Sequence, residues 1–400
     1  MTEMTFPRKE NDMQYRNGFS MLGYGCMRFT SKGGKIDYEK AEAEVLKAYE
    51  LGVTYFDTAY IYPGSEEFLG KCVEKNGLRD KITIATKLPQ YMVRNRAGLD
   101  KYFDEELRRL RTDHIDVYLL HHMTDYSQWE RLSALGIREW IEEKKATGQI
   151  GKIGFSFHGN TEMFLKILNA YDWDMCLVQY NYMDENSQAG RKGVETAYEK
   201  GIPVMIMEPL RGGKLVDLLP SGAKKKISED PHGWSPAEWA FRWLWDQPGV
   251  TCVLSGMNSI EMIEENCRIA SEVSAGSFGD SEKAVIEEIK VLINANTRGN
   301  CTGCCYCMPC PKGVDIPGIF SCYNHMYSES KGSGRKEYFQ TIALRREAAG
   351  ASACVGCGKC EQHCPQSLPI REKLKEADKA LLPWYYRIGA AVGRKIMLKG

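Results

Sequence analysis

The chain has 400 residues, with 53 basic and 53 acidic side chains, 43% hydrophobic and 26% charged residues. This is the composition of a soluble globular protein, large enough for one barrel-sized core and a smaller second domain. Zero net charge leaves no field to hold a phosphate backbone, so nucleic acid is excluded as an expected partner. There is no run of 18 apolar residues, and the segment Met1 to Gln14 is polar. Neither a membrane span nor a signal peptide is expected, and the expected location is the cytoplasm.

In chain order, the first local signal is Asn17-Gly18 between residues suited to strands, a hairpin pattern able to plug one mouth of a barrel. Eight candidate strands follow: 21–25, 54–57, 82–86, 117–120, 153–155, 176–179, 204–207 and 250–254. Amphipathic helices are clearest at 38–50, 65–75, 100–110, 132–147 and 260–270, and several of them end on glycine. Eight strands alternating with helices at this spacing predict a closed (β/α)8 barrel with a parallel sheet. A helical run at 282–294 then leads to a boundary near Asn296. The expected organisation is a barrel over 1–295, a small, mainly helical domain over 296–375 and a tail over 376–400. In the tail, Trp384, Tyr385 and Tyr386 mix with Arg387, Arg394, Lys395 and Lys399. A helix packed on the second domain is expected there in preference to a membrane-interface helix.

Three strands end on or beside a polar residue, namely Asp57, Lys87 and His121, and Tyr62 lies five residues past Asp57. The carboxyl ends of barrel strands are where reacting groups gather. Taken singly, each residue has a plain structural role: a turn cap, a solvated ammonium, a packing ring, a core histidine. Together they have a mechanism. A phenol needs a neighbouring cation to give up its proton near neutral pH, and a buried cation needs an anion. A histidine beside the phenol can donate to a carbonyl oxygen as charge develops there.

The segment Gly52-Val53-Thr54-Tyr55-Phe56-Asp57-Thr58-Ala59-Tyr60-Ile61-Tyr62, followed by Gly64-Ser65-Glu66-Glu67, resembles the signature of the aldo/keto reductases. Ile84-Ala85-Thr86-Lys87 and Asp116-Val117-Tyr118-Leu119-Leu120-His121 are similar to the family's lysine and histidine motifs, and their register selects His121 over His122. The resemblance covers about residues 13 to 270. It implies a catalytic tetrad of Asp57, Tyr62, Lys87 and His121, a small carbonyl or alcohol substrate, and NAD(H) or NADP(H) lying across the barrel mouth. It also implies nucleotide contacts from Ser156, Gln179, Met207, Ser255, Gly256, Asn258, Glu265 and Asn266. Phe157 replaces an asparagine of the family pattern, and Met207 stands where an aromatic is usual. Ser255–Asn258 lacks the common Lys or Arg for a 2′-phosphate, which weakens the expectation of NADPH over NADH.

Of the 15 cysteines, five are scattered over the first 300 residues and ten crowd between Cys301 and Cys364. Scattered cysteines serve as small apolar side chains, whereas the crowded ones point to metal. Cys354, Cys357, Cys360 and Cys364 before Pro365 have the full bacterial ferredoxin spacing. Cys301, Cys304, Cys307 and Cys310 before Pro311 form a second run, one residue short in its last gap. Two [4Fe–4S] clusters are the leading reading. One cluster with unused cysteines and a zinc ribbon are the alternatives. The long spacer is similar to that of helical ferredoxin modules, and this resemblance implies that Cys310 joins Cys354, Cys357 and Cys360 while Cys364 joins Cys301, Cys304 and Cys307. The whole chain resembles an iron–sulfur subfamily of aldo/keto reductases. Such clusters would serve electron transfer, with a redox partner protein, or regulation. The competing reading is an electron-transfer or redox-sensing protein whose barrel only binds nucleotide.

Overall fold

The computed structural model describes residues 13–295, 301, 303, 307–345, 347, 349–364 and 368–397. Eight parallel strands close a barrel in sequence order: β1 (Leu22–Gly25), β2 (Tyr55–Asp57), β3 (Thr83–Leu88), β4 (Ile115–Met123), β5 (Ile150–Phe157), β6 (Met175–Gln179), β7 (Val204–Met207) and β8 (Cys252–Ser255). All eight expected strands are present. Ahead of them, Tyr15–Arg16 and Phe19–Ser20 form the expected hairpin, with Asn17 and Gly18 both at positive φ (51° and 80°), as a two-residue mirror-image turn requires. Its Phe19 is buried among barrel-lining side chains and meets the Tyr55 ring edge-on at 5.4 Å, so the hairpin does plug the barrel.

Helices Tyr38–Glu50 and Ser65–Lys75 have the expected bounds. The single helix expected over 132–147 is instead two, Tyr126–Ala134 and Ile137–Ala146. They are separated at Gly136, whose φ of 78° stops one helix and starts the next. Apolar periodicity runs through both pieces, which is why the sequence reads as continuous.

Beyond the barrel, Ile316–Ser328, Lys331–Tyr338 and Ile370–Leu381 pack round a second apolar core that includes Ile319, Phe320, Tyr338, Ile342 and Leu374. Lys331–Tyr338 gives way at Phe339–Ala343 to a π-helical turn. Ile370–Leu381 crosses residue 376 and contributes Ala377 and Leu381 to this core. The last helix, Trp384–Met397, rests Tyr386 against Phe339 at 6.0 Å. Its Trp384, Ile388 and Val392 stay exposed. Among the described residues no helix is long and apolar enough to cross a membrane.

Candidate active site

Strand register explains why four residues distant in sequence meet. Asp57 pairs with Ala85, and Lys87 lies two residues beyond Ala85. Lys87 in turn pairs with Leu119, and His121 lies two beyond that. A step of two keeps side chains on one face of a strand, so the barrel's stagger lifts each inward-facing residue one step towards the carboxyl mouth. At His121 the β4–β5 register shifts by one residue between Leu120 and Met123. This bulge puts His122 at φ 58° and re-aims the flanking side chains.

Lys87 is buried, with Nζ donating to Asp57 Oδ1 at 2.6 Å and to the Thr58 carbonyl at 2.5 Å. Burial alone would drive the proton off Lys87, but Asp57 and the Tyr62 hydroxyl more than compensate, and its pKa lies above the ordinary value. Burial pushes the Asp57 carboxyl upward against that same ammonium. With two oxygens in contact with Nζ, the ion pair is the state the geometry supports. Tyr62 sits in the turn before Ser65–Lys75, its ring 5.1 Å from Lys87 Nζ and 6.0 Å, edge-on, from His121. Burial raises the Tyr62 phenol, and Lys87, within hydrogen-bond reach of the hydroxyl, only partly offsets it. The sequence led to an expectation of net lowering. Desolvation wins instead, leaving Tyr62 a firmly held proton at neutral pH. His121 is pushed well below the usual imidazole range, first by burial and then by Lys87, so the ring is neutral.

Of the expected nucleotide residues, Ser156, Gln179, Met207 and Ser255 lie at or next to the carboxyl ends of β5 to β8, Gly256 and Asn258 follow β8, and Glu265 and Asn266 lie on the helix Ile260–Glu272. Ser156 Oγ accepts from the His122 main chain at 2.8 Å. Gln179 donates through Nε2 to Asp184 at 2.7 Å, while its buried Oε1 meets no partner among the described residues and is left as an open acceptor. Met207 is half-buried at the top of the barrel interior. Asn266 donates to Ser255 Oγ at 3.2 Å, the Asn258 carbonyl accepts from Thr30, and Glu265 accepts from Ser235 at 2.6 Å.

Two groups were missed from sequence. Arg28, just after β1, lies over Gly256, where an added Cβ would stand 3.3 Å from the arginine side chain, and donates to the Gly212 carbonyl at 3.0 Å. It therefore supplies a cation beside the segment that carries none. Arg268, the other arginine near this end, is tied to Glu238 and Glu272. The second group is a buried seam between barrel and helical unit. Asp184, which holds Gln179, also pairs with Arg211, and Arg211 reaches Glu329 at 3.1 Å. Lys214 joins Glu329, and His325 lies 3.7 Å from Asp184. Arg211 holds the Asp184 carboxyl well below its usual range despite burial. No local motif marks this seam, because the pairs that cross it, Arg211–Glu329, Lys214–Glu329 and His325–Asp184, join residues more than 100 positions apart.

Among the described residues no three Cys, His, Asp or Glu side chains converge as a metal-binding set. Cysteines of the two runs nevertheless meet: Cys307 and Cys310 line the same cavity of about 350 Å3 as Cys354, Cys357 and Cys360. Main-chain N–H groups of Gly303 and Gly356 point at Cys301 Sγ (3.5 Å) and Cys354 Sγ (3.4 Å). Cys364 packs against the second core, and Cys304 lies outside the described residues.

A parallel eight-stranded barrel with a buried Lys–Asp pair, a phenol and a neutral imidazole at its carboxyl mouth defines a barrel oxidoreductase site. The sequence profile of the aldo/keto reductase family matches residues 21–285, and the chain belongs to that family. Curated relatives include L-glyceraldehyde 3-phosphate reductase of Escherichia coli K12, 23% identical over 72% of this chain and 95% of that protein. Methylglyoxal reductase YeaE of the same organism is 26% identical over 63% and 87%. Among solved structures, the holo form of aldo-keto reductase AKR11C1 from Bacillus halodurans is 25% identical, with a TM-score of 0.57 over 70% of this chain and 96% of that one. The protein is an oxidoreductase enzyme of this family.

Proposed function

We propose that the enzyme reduces a carbonyl group, or oxidises the matching alcohol, by hydride exchange with NAD(H) or NADP(H), and that its helical unit holds two [4Fe–4S] clusters. The observation that carries the first part is the buried Lys87–Asp57 pair beneath the Tyr62 ring and beside a neutral His121. When bound, a reduced nicotinamide would supply a hydride to the carbonyl carbon. The unpartnered Oε1 of Gln179 suits a carboxamide donor, the Ser156 hydroxyl keeps its proton free to donate, and Arg28 suits a phosphate. One relative, yakc of Schizosaccharomyces pombe, carries NADP(+) in its name.

The neutral His121 donates a hydrogen bond to the substrate oxygen and so orients the carbonyl. Tyr62 transfers its proton to that oxygen as negative charge builds there. Lys87 stays an ammonium throughout and stabilises the phenolate left behind, while Asp57 keeps Lys87 charged. Tyr62→Phe keeps the ring but loses the proton, so turnover should fall by about 10² or more, with nucleotide binding retained. Full turnover in this variant would overturn the reading.

For the clusters, the donor set fits. Thiols from both runs surround one cavity, and N–H groups facing sulfur favour thiolate. Cys310 would complete the set of Cys354, Cys357 and Cys360, and Cys301, Cys304, Cys307 and Cys364 would hold the other cluster. Bound clusters supply one-electron transfer, which suits exchange with a redox partner protein. Anaerobically purified protein should contain about eight iron and eight acid-labile sulfide per chain. Zinc without sulfide would refute this.

A further inference from the structure

Above His121 the barrel mouth opens into a cavity of about 510 Å3, in the range that holds small molecules. Much of its wall is not barrel. Phe339, Gln340 and Leu344 enter it from the π-helical turn, Tyr386 from the last helix and Lys336 from Lys331–Tyr338. A π turn carries one more residue than an α turn, and here it brings Phe339 and Gln340 together to the mouth. The roof is tied down, because the side chain of His122, in the β4 bulge, hydrogen-bonds the Gln340 main chain.

The chemistry of this wall is lopsided. Ile61, Tyr91, Phe339, Leu344 and Tyr386 offer apolar and aromatic surface, His121 is a buried imidazole, His122 a half-buried one, and Gln340 is neutral. Among the described lining residues Lys336 is the only ion, and no carboxylate lines the cavity. The carboxylates nearest in sequence are occupied elsewhere, Glu329 with Arg211 and Lys214, and Glu337 with His325. Glu208 feels Lys336 from outside the lining. The cavity therefore joins the His121 imidazole, with the Tyr62 ring 6.0 Å from it, to an apolar and aromatic wall and to the exposed ammonium of Lys336.

We propose that the substrate is an anionic carbonyl compound: an aldehyde or ketone at one end, an apolar or aromatic body between, and a carboxylate or phosphate held by Lys336 of the helical unit. Lys336 is thus a specificity residue supplied to the barrel by the appended unit. The inference rests on the carbonyl-reducing reading above and adds the substrate class.

The test compares benzaldehyde, 4-carboxybenzaldehyde and 4-formylphenyl phosphate in wild type, Lys336→Met and Lys336→Arg. One charge-assisted contact at a hydrated rim should lower KM for a charged aldehyde about tenfold, with kcat little changed. Lys336→Met should erase that difference, Lys336→Arg should keep it, and 0.5 M salt should shrink it. The anion that gains more identifies the source. An unchanged ratio in Lys336→Met overturns the proposal. Calorimetric binding of 4-(hydroxymethyl)benzoate and benzyl alcohol, with oxidised nucleotide present, separates the two readings. Preference for the benzoate that is lost in Lys336→Met, without turnover of any aldehyde, keeps the anion site and refutes carbonyl reduction. Equal binding of the two alcohols, with benzaldehyde reduced, refutes the anion site and leaves the reductase standing.

Discussion

Replacing Lys87 by Met tests stability and chemistry at one point. The side chain is 1% exposed, and its ammonium touches Asp57 at 2.6 Å and the Thr58 carbonyl at 2.5 Å. Met fills most of the same volume, so little is lost in packing, but Asp57 is left as a buried carboxyl without its counter-ion. Breaking such a pair costs about 3 to 5 kcal/mol when the remaining charge must persist. Asp57 can escape part of this by taking up a proton. Burial already pushes its pKa upward with Lys87 present, and removing the ammonium pushes it further. A carboxyl with a raised folded pKa costs nothing below its unfolded pKa. The cost grows as pH rises through the window between the two values and is constant above it. Lys87→Met should therefore be close to wild type in urea denaturation near pH 4 and less stable by about 3 kcal/mol near pH 8. Asp57→Asn combined with Lys87→Met removes the orphaned charge and should restore most of the stability at pH 8. Turnover should not return, because the phenolate of Tyr62 still lacks its cation. A double variant as active as wild type would show that the pair only holds the barrel together, and a pH-independent loss in Lys87→Met would show that Asp57 is not the group left uncompensated.

Behind β3, Glu66 accepts from Thr86 at 2.5 Å and pairs with Arg109 at 3.1 Å, yet burial raises its carboxyl from 4.5 to about 7. The folded state holds this proton more tightly, so stability should fall as pH rises from about 4.5 to 7, by roughly 3 kcal/mol from this group. Glu66→Gln should flatten that slope in urea titrations at stepped pH, and an unaltered slope would refute the assignment. Arg28→Ala should weaken nucleotide binding severalfold in fluorescence titration, more for NADPH than for NADH if the guanidinium meets the 2′-phosphate. Equal binding to wild type would return Arg28 to a loop tie with Gly212.

Much of the barrel was legible because its signals are local. Strand runs, helix periodicity and the Asn17-Gly18 turn are set within a few residues, and the tetrad residues sit at strand ends that the pattern already marks. The two cysteine runs stand out for the same reason, since the spacing of cysteines along the chain is a local sequence property. The split at Gly136 was hidden, because one glycine within a continuous apolar period is read equally well as tolerated or as a stop. Only the tertiary structure decided the protonation of the site. Whether Lys87 lowers Tyr62 or burial raises it depends on how completely water is excluded, which no spacing encodes. It also decided that Arg28 lies over Gly256, that Asp184 joins Gln179 to Arg211 and Glu329, and that Lys336 and Tyr386 roof a mouth whose histidine lies more than 200 residues earlier. Contacts of that separation arise only when the barrel closes and the helical unit docks on it, because the groups that meet belong to elements with no shared local pattern.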